Sequence, residues 1–215
     1  MNVYVAKQAI VDRFNNIMGY ELLFRDNYAQ NRYTATDGDK ATLELLQNSI
    51  VNIGMSKLVG TKKAFINFTD NILKSNICSF ISPQNIIIEI LEDIKPTERI
   101  MDSCKLLKEK GFVLALDDFI FNNTYVDLIK LVDIIKIDFF ITKNVERKNV
   151  MKKIHAINRD IKFLAEKIET SNDFKEALSL GYSYFQGYFF SKPQIVTGKK
   201  DEDSPVLFKE KYNFV

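Results

Sequence analysis

Four short apolar runs in this chain each end in an acidic or amide side chain. A run of two to four apolar residues of this kind is typical of a strand that is buried on both faces, in a sheet covered by helices. Acids at the same end of successive strands predict a barrel or open sheet whose carboxyl edge forms an acidic pocket. The runs and the residues that follow them are Ile86–Ile88 with Glu89, Val113–Leu116 with Asp117 and Asp118, Phe163–Ala165 with Glu166, and Tyr184–Phe185 with Gln186.

Strand-like and helix-like segments alternate along most of the chain, which predicts βα units. The predicted helices cover Ala41–Leu58, Pro96–Lys110, Tyr125–Leu131, Val145–Asn158 and Thr170–Leu180. The predicted strands cover Val3–Val11, Met18–Phe24, Ala64–Phe68, Ile86–Ile90, Val113–Asp117, Ile134–Ile137, Lys162–Ala165 and Tyr184–Phe190. Seven or eight strands with helices between them, in 215 residues, lie near the lower size limit of a TIM-type barrel.

The domain organisation follows from where this alternation stops. Residues 1–195 are predicted to form one barrel domain, because Pro193 ends the last predicted strand. Residues 196–215, which include the charged run from Lys199 to Asp203, are predicted to be a C-terminal tail or a truncated linker.

Composition excludes several classes of function. The formal net charge is only +2, and no basic face indicates a nucleic-acid polymer as partner. His155 is the only histidine, which excludes a histidine-based triad or a multi-histidine metal site. Cys78 and Cys104 have no metal or redox spacing and are expected to be buried thiols. With no signal peptide or membrane-length apolar segment in the sequence, we expect a cytoplasmic protein that does not bind a membrane.

The predicted strand ends carry an excess of negative charge. Five carboxylates accompany a single lysine, Lys136, and if they share one pocket their pKa values must rise unless cations compensate the charge. Hard oxygen ligands without thiolate or imidazole favour Mg²⁺ or Mn²⁺. Two such ions bridged by Asp117 would suit phosphodiester hydrolysis, by activating a water and neutralising a phosphate oxygen. The polar residues at these ends are Glu21, Asn67, Glu89, Asp117, Asp118, Lys136, Glu166 and Gln186.

Seven ordered motifs across roughly residues 3–193 resemble those of EAL domains. They are Gly19-Tyr-Glu21-Leu-Leu-Phe-Arg25, Phe65-Ile-Asn67, Glu89-Ile-Leu-Glu92, Leu116-Asp-Asp-Phe119, Ile135-Lys-Ile-Asp138, Leu164-Ala-Glu166-Lys-Ile-Glu169 and Gln186-Gly-Tyr188. The resemblance implies an α/β fold, a modified TIM-type (β/α)8 barrel with an irregular N-terminal strand. It also implies binding of cyclic di-GMP and, in active members, its cleavage to the linear dinucleotide with two Mg²⁺ or Mn²⁺ ions.

The resemblance also implies roles for individual residues. Lys136 matches the lysine that holds the nucleophilic water, and Glu166 matches a carboxylate that acts as general base or metal ligand. Asp118 and Gln186 match the metal and water network. The implied metal ligands are Glu21, Asn67, Glu89, Asp117, Asp118 and Glu166, and the implied substrate contacts are Arg25, Gln8 and Leu23.

Three positions depart from the pattern of the family. Leu22 stands where the signature has alanine, Ile120-Phe-Asn-Asn-Thr124 stands where a Gly-Thr-Gly loop is usual, and Lys167 stands where glycine usually follows the glutamate. Bulky residues do not readily adopt the positive φ angles of glycine. With these departures, the chain resembles the EAL half of EAL–HDOD proteins without the HDOD module, as either a cut piece or a stand-alone relative.

Two functional interpretations therefore stay open. The enzyme hypothesis rests on the retention of every implied ligand. The alternative is a catalytically inactive domain that senses cyclic di-GMP or binds a protein partner, and it rests on the altered loop and on Lys167. The resemblance also implies a homodimer, an expectation that the altered loop weakens. Taken alone, Asp117 and Asp118 could form a helix cap or turn, and Lys136 could be a lysine on an edge strand.

Overall fold

The computed structural model describes residues 2–25, 37–143 and 145–200, and its centre is a closed barrel of eight strands with helices around it. The strand β1 is antiparallel to both of its neighbours in the barrel, β2 and β8, whereas the pairs from β2 to β8 are parallel. The predicted α/β barrel of TIM type, with an irregular first strand, is confirmed. Its strands are β1 Asn2–Asp12, β2 Ile17–Arg25, β3 Lys63–Phe68, β4 Ile86–Ile90, β5 Val113–Leu116, β6 Ile134–Asp138, β7 Lys162–Glu166 and β8 Tyr184–Phe185.

The strands bury apolar side chains on both faces, which explains their continuous apolar runs. One face contributes to a large cluster shared with the surrounding helices, for example through Ile88 and Ile135. The other face fills the barrel interior with a smaller cluster made of Ile10, Phe65, Ile87, Ala115, Ile134 and Leu164. This interior is a packed layer, so any pocket of the barrel must lie above it.

The helices of the described residues are α1 Gly38–Gln47, α2 Met55–Val59, α3 Asp70–Lys74, α4 Glu98–Glu109, α5 Val126–Leu131, α6 Val145–Ile157 and α7 Ser171–Leu180. End signals set their limits: Thr97 caps α4, and Thr170 with Asp173 forms a capping box at α7, which Gly181 ends with a φ of 91°. None of these helices is long and apolar enough to cross a membrane.

The prediction of one continuous helix over Ala41–Leu58 was wrong. A π-helical turn, Asn48–Asn52, follows α1, and Gly54 with a φ of 91° separates it from α2. The apolar residues Ile50 and Ile53 still pack against the core. Their spacing therefore resembled a helix, although an extra residue per turn and a glycine interrupt it.

The C-terminal part of the barrel domain also differs from the prediction. The predicted strand Tyr184–Phe190 ends at Phe185, and a further strand that the sequence did not indicate, β9 at Gln194–Lys199, pairs antiparallel with residues 2–7 of β1. The predicted domain limit at residue 195 falls inside β9. Residues 201–215 of the predicted tail lie outside the described residues.

Both cysteines are buried free thiols, as expected from the sequence. Burial raises the pKa of the Cys78 thiol to about 12 and that of Cys104 to about 11. Because the thiolate is the reactive form, we expect neither thiol to react measurably with an aromatic disulfide reagent at pH 8 while the protein is folded. Absorbance should report both thiols after unfolding in guanidinium, and equal reaction rates before and after unfolding would contradict this prediction.

Candidate active site

The candidate site is a ring of polar side chains at the carboxyl end of the barrel, directly above the interior cluster. Residues two apart on a strand point to the same face, so the residue that follows an interior position by two also faces the barrel axis. Interior and ring residues pair as Phe65 and Asn67, Ile87 and Glu89, Ala115 and Asp117, Ile134 and Lys136, Leu164 and Glu166, and Tyr184 and Gln186. The two-residue spacing along each strand thus places a polar ring directly above the apolar interior cluster.

Lys136 lies at the centre of this ring. Its side chain is completely buried on β6, which pairs with β5 and β7, so the edge-strand interpretation of this lysine was wrong. Its Nζ contacts four carboxylates: the distance is 2.6 Å to Asp117 Oδ1, 2.7 Å to Glu89 Oε1, 3.0 Å to Glu166 Oε1 and 4.0 Å to Glu21 Oε1. The ammonium group therefore holds four side chains that come from four other strands or strand ends.

Burial and charge act in opposite directions on these groups. Burial alone would lower the pKa of Lys136, but Asp117, Glu166, Glu89 and Glu21 outweigh it and raise the pKa well above its usual value. Burial raises the pKa values of Glu89 and Glu166 well above those of ordinary glutamates, and Lys136 offsets only part of this rise. The ring therefore carries more negative charge than one lysine balances.

Gln186 and Gln8 extend the ring toward β1 and β2. Gln186 Nε2 donates to Glu21 Oε2 at 2.6 Å and to Gln8 Oε1 at 3.2 Å, and all three residues are buried. Gln8 Nε2 donates to the carbonyl oxygen of Ser191 at 3.0 Å. Gln186 thus fixes the orientation of the Glu21 carboxylate, and Gln8 orients Gln186.

Several buried oxygen atoms of the ring have no hydrogen-bond partner in the described part of the chain. Such orphaned acceptors cost free energy unless an ion or water satisfies them. One oxygen each of Asp117, Asp118 and Glu166 lie within 4.8 Å of one another, a spacing that suits a shared cation. The orphaned oxygens are Asn67 Oδ1, Glu89 Oε2, Asp118 Oδ1, Glu166 Oε2 and Gln186 Oε1. Carboxylate and amide oxygens without nitrogen or sulfur ligands fit a hard divalent ion.

Asp118 and Lys167 lie beside the ring and share an unusual backbone conformation. Their φ angles are 37° and 56°, in the left-handed region that few residues other than glycine adopt. The Lys167 ammonium forms an ion pair with Asp138 and lies 3.7 Å from Asp118 Oδ2. Burial alone would lower the pKa of Lys167, but the bond to Asp138 and the charge of Asp118 raise it above its usual value.

Sequence reasoning gave Asp138 no role, although the structure places it beside the ring. The signal was present, because Asp138 follows Lys136 by two residues on β6 and must point to the same face. It is 3% exposed, and its Oδ1 accepts from the backbone N–H of Phe140 at 2.5 Å and of Ile141 at 3.3 Å. Its other oxygen is thereby directed to Lys167.

The loop that departs from the glycine pattern has a regular structure. Phe119 is buried and donates its N–H to the carbonyl oxygen of Lys136 at 3.0 Å. The Asn122 side chain caps the short 3-10 turn Asn123–Tyr125. Between Asp117 and Tyr125, the only positive φ belongs to Asp118. The loop therefore reaches Tyr125 without the glycines that the family pattern has there.

Two adjoining clefts open above the ring, and the predicted substrate contacts line them. The first has a volume of about 340 Å³ and is bordered by Gln8, Glu21, Asp118, Glu166, Lys167 and Tyr188. The second, with about 240 Å³, is mostly apolar and is bordered by Arg25 and Asn67. Leu23 lines both clefts. Together they are large enough for a ligand of dinucleotide size.

A family model described as "EAL domain" matches residues 40–193. The chain belongs to the EAL domain family. This EAL domain is 43% identical over 203 residues to the uncharacterized protein YuxH of Bacillus subtilis strain 168, covering 92% of the chain and 49% of YuxH. It is 33% identical over 193 residues to the cyclic di-GMP phosphodiesterase CdgJ of Vibrio cholerae, covering 90% of the chain and 45% of CdgJ. The chain thus spans about half the length of these curated relatives.

A solved structure matches the fold of this EAL domain. It is the YkuI protein of Bacillus subtilis, described as having an EAL domain and as a complex with its substrate cyclic di-GMP and calcium. The TM-score is 0.65 at 20% identity, and the match covers 95% of this chain and 57% of YkuI. At this identity the likeness is one of fold.

Proposed function

We propose that this EAL domain hydrolyses cyclic di-GMP to linear pGpG with two Mg²⁺ or Mn²⁺ ions. The observation that carries the proposal is a set of buried oxygens in the ring, on Asn67, Glu89, Asp118 and Glu166, that have no hydrogen-bond partner among the described residues. The chain belongs to the EAL domain family. CdgJ, a relative at 33% identity, is named for this activity.

The residues of the ring would act as follows. Glu21, Asn67, Glu89 and Asp117 would hold one ion, and Asp117, Asp118 and Glu166 would hold the other. Bound divalent ions lower the pKa of a coordinated water and neutralise phosphate charge.

The remaining ring residues would bind substrate and handle the proton. Lys136, 3.0 Å from Glu166 Oε1, would orient the attacking water, and Glu166, whose pKa is raised by burial, would accept its proton. Gln186 would keep the Glu21 carboxylate in place through its 2.6 Å hydrogen bond. Arg25 would bind a substrate phosphate, for which a planar guanidinium is suited, while Gln8 and Leu23 would border the nucleotide.

Chromatography of cyclic di-GMP after incubation with the protein and Mn²⁺ or Mg²⁺ tests the proposal. We expect linear product from the unchanged chain, and a loss in Glu21→Ala larger than the roughly 10–100-fold typical of losing an outer-shell partner of a metal ligand. Glu109→Ala, on the exposed end of α4, is the matched control and should keep full activity. Equal product from Glu21→Ala and Glu109→Ala would contradict the proposed role of Glu21.

A second function is favoured by the position of Lys167. Its ammonium lies 3.7 Å from Asp118 Oδ2, where it adds positive charge close to a proposed ligand. A domain with a disturbed second ion would bind cyclic di-GMP, or a protein partner, without useful turnover. The similarity to the EAL half of EAL–HDOD proteins stays a prediction that fits this function.

Calorimetry with cyclic di-GMP in Ca²⁺ separates the two functions. Tight binding together with linear product in Mn²⁺ supports the enzyme. Tight binding without product supports the sensor. Neither binding nor product would contradict the enzyme and the cyclic di-GMP sensor, and would leave only a role in protein interaction.

A further inference from the structure

Among the residues that the structure describes, Lys136 lies at the centre of the polar ring and Lys167 lies beside the ring. Lys167 approaches from the rim, where its side chain is 45% exposed. Its backbone φ of 56° is a conformation that costs free energy for a residue with a Cβ and that accumulates at functional sites. This backbone conformation accompanies a Lys167 ammonium that lies beside Asp138 and Asp118.

Asp138 fixes the position of the Lys167 ammonium. One oxygen of Asp138 accepts two backbone N–H groups, from Phe140 and Ile141, so this carboxylate cannot rotate freely. Its second oxygen binds the Lys167 ammonium. The contact with Asp138 therefore holds the Lys167 ammonium beside Asp118.

The two oxygens of Asp118 face different surroundings. Oδ2 lies 3.7 Å from Lys167 Nζ, whereas Oδ1 is buried without a hydrogen-bond partner in the described residues. Asp118 belongs to a group, with Asp117 and Glu166, in which one carboxylate oxygen of each residue lies within 4.8 Å of the others. A cation bound by this group would share the Asp118 carboxylate with Lys167, and like charges at such a separation repel.

We propose that the positive charge of Lys167 lowers the divalent-metal affinity of the second site, which is formed by Asp117, Asp118 and Glu166. The second site then binds metal more weakly than the first site, which is formed by Glu21, Asn67, Glu89 and Asp117. The inference rests on the proposed phosphodiesterase function. It makes occupancy of the second site, and with it turnover, depend on the concentration of free metal. It also gives a physical reason for a lysine at a position where the family pattern has glycine.

Titration of the full chain with Mn²⁺ alone, followed by calorimetry and by electron paramagnetic resonance of free Mn²⁺, tests this inference without substrate. We expect one tight and one weak class of site in the unchanged chain. Lys167→Met should tighten Mn²⁺ binding to the weak class by about tenfold and should leave the tight class unchanged. Tenfold is the lower end of the effect of a unit charge at ~4–6 Å, and we expect the lower end because Lys167 is partly exposed.

Three further variants make the result specific. Lys167→Arg keeps the charge and should keep the weak class weak. Lys167→Gly removes both the charge and the backbone strain, so it should tighten the weak class even if Lys167→Met packs poorly. Lys175→Met, at an exposed position of α7, makes the same charge change elsewhere and should alter neither class.

The outcomes separate the inference from the proposed function. Two classes of site that Lys167→Met and Lys167→Gly leave unchanged would overturn the inference alone. Equal tightening by Lys175→Met would also overturn it, because the effect would then be one of net charge. Absence of any Mn²⁺ binding by the unchanged chain would overturn the inference together with the two-metal function.

Discussion

Replacing Lys136 with methionine is expected to lower the free energy of unfolding of the metal-free domain by about 3–5 kcal/mol, as the loss of one partner from a buried charge network does. Methionine has a similar length and fills the buried space, so the packing change is small. The loss arises from Glu89, Asp117 and Glu166, which lie 2.6–3.0 Å from the ammonium and would have no cation between them.

The destabilisation should depend on pH with a defined sign. Burial raises the pKa values of Glu89 and Glu166 well above the 4.5 of an ordinary glutamate, so from about that pH upward the folded state binds more protons than the unfolded state. Stability from these groups therefore falls as the pH rises. Lys136 lowers both pKa values, so its removal raises them further. The decrease in stability with pH then extends to higher pH. The variant should lose more stability at pH 8 than at pH 5.5.

Denaturant unfolding in EDTA at both pH values measures these effects. Lys130→Met is the matched control, because Lys130 forms a 2.7 Å ion pair with Asp127 but its side chain is 57% exposed, and such pairs contribute about 1 kcal/mol or less. A ligand that binds only the folded state stabilises it. Excess Mn²⁺ should stabilise Lys136→Met more than the unchanged chain, because the carboxylates of the variant have no ammonium group between them. Equal losses in the two variants at both pH values would show that Lys136 is not the centre of the ring.

The ring could be predicted from the sequence because parallel strands leave little freedom. Buried strands appear as apolar runs, their ends lie at one edge, and alternation decides which residues face the axis. Glu89, Lys136 and Glu166 follow this logic, and the structure brings them together. Asp138 obeys the same alternation, but its pairing with Lys167 depends on a backbone φ that no local pattern indicates.

The segments that sequence reasoning missed depend on distant contacts. The strand β9 exists because residues 2–7 of β1 offer an unpaired edge, and its own sequence, Gln194-Ile-Val-Thr-Gly-Lys199, has an apolar run of only two residues, too short to indicate a strand by itself. The aromatic run from Tyr184 to Phe190 resembles one strand, since aromatic residues favour strands. It ends at Phe185 because the chain there turns to pack against Ile168.

Gly187→Ala is expected to destabilise the domain by about 3 kcal/mol or more, at or beyond the upper end of ordinary overpacking. A Cβ at this position would lie 2.1 Å from the carbonyl oxygen and 2.3 Å from the backbone nitrogen of Ile168. These are backbone atoms of a completely buried residue, and they already bond to the turn: Ile168 N–H donates to the Gln186 carbonyl, and the Ile168 carbonyl accepts from Phe189 N–H, both at 3.0 Å. Neither side can move without breaking these bonds.

The same substitution should impair the site beyond its effect on stability. Gln186 precedes Gly187, and its side chain holds Glu21 at 2.6 Å. A shift of the turn therefore moves Gln186 and releases a proposed metal ligand. Positional errors of about 1 Å in such sites cost on the order of 10²-fold in rate. We expect weaker Mn²⁺ binding and less linear product even under conditions in which the variant remains folded.

Gly181→Ala separates the steric effect from the general effect of adding a Cβ to glycine. Gly181 has a φ of 91°, and a Cβ added there would meet no atom within 4 Å. Alanine at this position should therefore cost only the roughly 1–2 kcal/mol of the left-handed conformation and should leave Mn²⁺ binding unchanged. Denaturant unfolding and Mn²⁺ titration of the two variants give the comparison. Equal losses of stability with intact metal binding in both would mean that the turn at Gly187 yields and that the orientation of Gln186 does not depend on it.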